Sequence, residues 1–218
     1  MKDSNETIFY INNSHPGPAD NFCLKMTIHS YPFSFKLKAL PTVLFAYLCF
    51  KYLKMPDKLF IGPGFLCCTS GDIFLDFSRE SYFIHALISF LSGHIFYTLG
   101  FLQQVHFTKE RLPFAIIAFV YTSIITIILL PRLGNFLIPV VVYIMVITIM
   151  GISAAFISGN SLGIFIGAMI FIVSDSLIAI NKFLGSFNYS TPIIISLYFI
   201  AQYTIGTGVL HLDNFRKA

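Results

Sequence analysis

A membrane-spanning bundle of α-helices is the fold this sequence predicts, and three observations predict it. Mean hydropathy is +0.78, with 56% hydrophobic and only 11% charged side chains, which leaves too little polar surface to wrap a soluble domain. Seven apolar runs, each near the roughly 20 residues that cross a bilayer as a helix, follow one another along the chain. The runs do not alternate apolar and polar side chains, as barrel strands must, and helices are then the remaining way to satisfy the backbone in lipid. The class is all-α, a polytopic membrane helical bundle.

Residues 1–33, which open "MKDSNETIFYINNSHPGPAD", hold no continuous apolar core and read as a polar tail, neither a cleavable leader nor a span. Segment one covers 36–53 and stops at the charged turn "KMPDK"; segment two covers 59–77 and stops at "SRES". Segment three, 82–102, is closed by "TKERLP", and segment four, 112–130, by "PRLGN". Segment five covers 135–157, segment six 162–184 with "SFNYSTP" after it, and segment seven 191–210. The connections are short, so one bundle is expected over 34–210, with a C-terminal tail at 211–218. Lysine and arginine are slightly more frequent on the side away from the N-terminus, which places the C-terminus in the cytoplasm as an expectation.

The formal charge is +4 and the basic residues are scattered, a pattern that speaks against a nucleic-acid partner. Four cysteines lack metal-ligand spacing, and three lie in apolar segments where a thiol packs as a small hydrophobe. Small residues recur at helix-contact spacing, as in Gly163-x-x-x-Gly167 and in Gly93 and Gly100, and read as close-packing positions.

Two carboxylates stand out. Asp72 and Asp175 are the acids deep within spans, each thirteen residues after the start of its segment. Segments two and six run in the same direction, so both fall at one depth, roughly 20 Å from the entry side at about 1.5 Å per residue. Each also ends a Gly-x7-Asp pattern, from Gly64 and from Gly167, a faint sign of parallel duplication. A charge in hydrocarbon costs several kcal/mol or more unless paired or hydrated, so intramembrane acids mark functional cavities. Two facing acids cannot both ionise cheaply, and one can then deliver a proton while the other stays charged. Asp76 lies one turn beyond Asp72 and Lys182 two turns beyond Asp175; by default both are solvated helix-end charges. His94 and Tyr97 share a face of segment three, and Asn181 and Gln202 are amides on segments six and seven, suited to bridging helices around a pocket. His85, His94, Asp72 and Asp175 are the ligand types within the spans. Their spacing is not that of a zinc site, so no metal or cofactor is expected.

These motifs resemble the lysoplasmalogenase family, the YhhN-like membrane proteins. "KLKALPTVLF" (36–45) is similar to its Lys-Pro-Leu helix start, "SGDIFL" (70–75) to its Gly-Asp helix and "FLSGHIFYTLGF" (90–101) to its His-x-x-Tyr helix. "GAMIFIVSDSLIAINKF" (167–183) resembles its longest signature and "YFIAQYTI" (198–205) its Ala-Gln element. Ala39 stands where the family usually has proline, and seven spans are readable where the family has eight. The resemblance implies hydrolysis of the vinyl ether bond of lysoplasmalogens to a fatty aldehyde and glycerophosphoethanolamine or glycerophosphocholine. Asp72 and Asp175 would be the catalytic acids, with Lys38, Asp76, His94, Tyr97, Asn181 and Gln202 around the substrate and Lys38 receiving its phosphate. The partners implied are a lysophospholipid and membrane lipid, in the inner membrane of a bacterium or the endoplasmic reticulum of a eukaryote. The alternative reading of paired membrane acids is a proton- or ion-coupled transporter.

Overall fold

The computed structural model describes residues 34–54, 56–77, 81–159 and 161–215, with side chains from 39 to 212. The expected polar tail and the side chain of Lys38 lie outside the described residues. Among the described residues, seven α-helices follow in order: α1 (Ser34–Tyr52), α2 (Asp57–Phe77), α3 (Phe83–Leu102), α4 (Leu112–Leu129), α5 (Leu137–Ala155), α6 (Leu162–Phe183) and α7 (Ser190–Phe215). Six are long and apolar enough to cross a membrane, and α1, taken from Ala39, is a shorter apolar helix. The apolar run of α7 ends at 210, but the helix continues to Phe215. Leu212 still packs inward beside Val209, and a helix can extend past its apolar stretch once the ends reach polar surroundings.

Hydroxyl groups within the spans bond back one turn, as Thr69 does to the Phe65 carbonyl (2.9 Å) and Ser176 to that of Ile172 (2.7 Å). This local bond lets Ser and Thr sit in an apolar helix. Pro63, in "IGPGF", does not interrupt α2, which runs unbroken from Asp57 to Phe77; neighbouring helices allow proline in a membrane helix.

Packing closes a ring in the order α1, α2, α3, α5, α6, α7, with α4 laid outside against α5 and α6. Glycines make the tightest crossings. A Cβ on Gly64 would stand 2.6 Å from the Tyr97 ring, and one on Gly167 would stand 2.9 Å from the Ile205 nitrogen. Gly93 and Gly100 are filled from α2 in the same way, by Cys68 and Ile61. Gly163 meets nothing within 4 Å, so in the Gly163-x-x-x-Gly167 pair only Gly167 is a contact. At one end of the bundle, Gln104 donates to the buried Asp57 carboxylate (2.8 Å) and the two loops flanking α4 and α5 pair through Val105 and Ile157.

Candidate active site

Three helices converge on Asp175. Both His94 of α3 and Tyr143 of α5 bond the same carboxylate oxygen, Oδ2. The Tyr143 hydroxyl donates to it at 2.5 Å, His94 Nε2 lies 3.0 Å away, and Nε2 and the tyrosine oxygen are 2.8 Å apart. His94 is fully buried, wedged edge-on between the rings of Tyr143 (5.2 Å) and Phe171 (4.7 Å). Its Nδ1 has no partner among the described residues. The hydrogen is therefore assigned to Nε2, which faces two oxygens able to accept it. Asp175 Oδ1 makes no hydrogen bond among the described groups and is not shut in, because Asp175 lines a cavity.

The cavity, about 700 Å³ when the open space at its mouth is counted, lies among α3, α4, α5 and α6, with Leu75 of α2 at its edge. Its walls are Phe, Leu, Ile, Val and Ala side chains, interrupted by Asp175, Tyr143, Thr122 and Ser176. The last two spend their hydroxyls on their own helices. Tyr143 spends its hydroxyl on Asp175, so the Asp175 carboxyl is the polar group left to meet an occupant. Along α6 the walls run from Ile172, a turn below the carboxylate, to Phe183 at the helix end.

Asp72 has different surroundings. It is half-buried and accepts the hydroxyl of Tyr198 on α7 (2.8 Å). It does not line the cavity, although Leu75, one turn on, does. The rings of their partners meet at Phe171, which stands edge-on to both Tyr198 (5.4 Å) and His94 (4.7 Å). Where the sequence leads one to expect a facing pair, the two acids are held by different partners, Asp175 by Tyr143 and His94 and Asp72 by Tyr198.

The remaining predicted residues divide. The Tyr97 hydroxyl donates to Gln202 Oε1 at 2.8 Å, a bond between α3 and α7 deep in the ring, away from the cavity. This pair braces α3 against α7 and does not line the cavity. Asn181 has a buried Oδ1 without a partner among the described residues and does not line the cavity. Asp76 is half-buried one turn after Asp72. Among the described residues, no three His, Cys, Asp or Glu side chains gather where they could hold a metal ion.

Tyr143 and Tyr198 were missed from sequence, though a signal existed. Neighbouring segments run antiparallel, so depth can be counted from opposite ends. Tyr143 is eight residues into segment five and Asp175 nine from the end of segment six; Tyr198 is seven into segment seven and Asp72 five from the end of segment two.

Fold and site define a polytopic membrane bundle with an acid seated at an apolar intramembrane cavity. The chain belongs to the YhhN family, whose model matches residues 33–209. It is 32% identical to "Lysoplasmalogenase TMEM86A" of Homo sapiens over 159 residues, which covers 69% of this chain and 65% of that protein. The Bos taurus protein of the same name is 30% identical over 167 residues, 70% of this chain and 66% of that one. The chain thus spans just under two thirds of the length of these curated relatives. No solved structure matches it.

Proposed function

We propose that the protein hydrolyses the vinyl ether bond of lysoplasmalogens, with Asp175 as the acid. Oδ1 delivers its proton to the outer alkene carbon, and the remaining electrons form an oxocarbenium ion at the carbon bearing the ether oxygen. The carboxylate left behind is stabilised by Tyr143 and His94, whose bonds to Oδ2 strengthen as charge develops there. Water adds to the oxocarbenium carbon and returns a proton to Oδ1. The hemiacetal then collapses to a fatty aldehyde and a free glycerol hydroxyl, leaving glycerophosphoethanolamine or glycerophosphocholine. In glycoside cleavage two carboxyl groups divide proton transfer and charge stabilisation; in this reading Asp175 does both in turn. Asp72, set back from the cavity, contributes through its charge and its hold on Tyr198 without touching substrate.

One observation carries this reading: two donors hold one oxygen of Asp175 while the other faces an apolar cavity. The names of the relatives support the substrate class. A transporter would draw on the same acids, but the uninterrupted α2 favours hydrolysis over alternating access through a broken helix. The test is to incubate purified protein with alkenyl and acyl lysophospholipids of matched head group. Aldehyde from the alkenyl lipid, with no fatty acid from the acyl lipid, is expected. Ion flux in sealed liposomes without aldehyde release would overturn the reading.

A further inference from the structure

We infer that Lys182 holds the phosphate of the substrate at the rim of the cavity, making the protein selective for phosphate-bearing single-chain lipids over alkenylglycerols, which lack the phosphate. This rests on the hydrolase reading and adds a binding group to it. Lys182 lies seven residues after Asp175, two turns along the same face of α6 and about 10 Å nearer the helix end. Side chains on a helix lean toward its N-terminus, which directs the lysine back toward the cavity. Its Nζ sits 5.1 Å from the centre of the Phe83 ring, and that ring lines the cavity. Phe83, Phe136 and Phe183 form an aromatic triangle around this end, with ring centres 5.7–6.2 Å apart. The ammonium is thus parked over an aromatic face, and it makes no ion pair among the described residues.

The spacing matches the ligand. In a lysoplasmalogen, six single bonds separate the inner vinyl carbon from phosphorus, on the order of 7 Å when extended, given bond lengths near 1.5 Å. With the vinyl ether at Asp175 Oδ1 and the glycerol directed along α6, the phosphate arrives within reach of a lysine two turns away. A head group without a phosphate gains nothing from Lys182. The rim also carries Arg132, exposed in the turn after α4, but it does not share the α6 face with Asp175.

The test is binding of a saturated 1-O-alkyl lysophosphocholine, which has no double bond to cleave, and of the matching 1-O-alkylglycerol, to the full chain in uncharged detergent. Lys182→Ala is expected to weaken the lysophosphocholine about tenfold or more, the size of one charge-assisted bond, and to leave the alkylglycerol unchanged. Lys182→Arg restores binding, and Arg132→Ala does not weaken it. Equal losses for both ligands, or an equal loss in Arg132→Ala, would overturn the assignment, since the effect would then be structural or one of general surface charge. Lysine-dependent binding without aldehyde release from the alkenyl lipid would support the anchor and sink the hydrolase reading, so the two fail separately.

Discussion

Asp72 and Asp175 look interchangeable in the chain: each follows a glycine by eight positions, in a helix of the same direction and at the same expected depth. In the folded protein they differ. Asp175 is bonded twice on one oxygen and open to a cavity on the other, whereas Asp72 is bonded to Tyr198 and stands behind the cavity wall. The lesson is that an intramembrane acid becomes a candidate catalyst through the space beside it. The scaffold under the two is alike, since Gly64 and Gly167 admit a neighbouring helix at close range in both places.

The sharpest way to break that comparison is a pair of isosteric substitutions. Asp175→Asn removes the proton donor and should lower aldehyde release by about a thousandfold, within the usual range for a general acid. Asp72→Asn should cost roughly tenfold, because it removes a charge outside the cavity lining and weakens the bond from Tyr198. Equal losses in correctly folded protein would show that the two acids act as a unit. Smaller but still large is the expected effect of Tyr143→Phe, which keeps the ring and deletes one donor to Oδ2. We expect a fall of about a hundredfold in kcat with little change in KM, as for loss of one donor to developing charge. A change in KM alone would instead mark Tyr143 as part of the binding wall. Least of all should Gly64→Ala and Gly167→Ala distinguish the two regions. Each forces a methyl into a closed crossing and should cost about 1–3 kcal/mol in unfolding experiments, similarly on both sides, while Gly163→Ala should be nearly silent. A large cost at one glycine only would locate the difference in the scaffold as well as in the site.

His94 was visible from sequence for the same reason as the two acids, as a polar group in an apolar helix, and it does join Asp175. The tyrosines were not, because the chain has eleven of them and a tyrosine in a membrane helix is unremarkable where an aspartate is costly. Tyr97 and Gln202 were grouped with the pocket, yet they bond each other across the ring. Tyr97 shares a helix face with His94 by spacing, but a face can point at another helix as readily as at a cavity. Lys182, read by default as a solvated end charge, is exposed at the end of its helix, and its ammonium also lies over a ring that lines the cavity.

Sequence alone determined that the chain forms apolar helices, where they begin and end to within a few residues, and which side chains are too polar to be there without a reason. Lipid offers the backbone no hydrogen bonds, so hydropathy and length suffice for those conclusions. Only the tertiary structure decided which acid faces empty space and which tyrosine reaches it. Those outcomes depend on the rotation and crossing of helices set by interlocking side chains from distant parts of the chain, such as Ile205 filling the space over Gly167 and Phe171 standing between His94 and Tyr198.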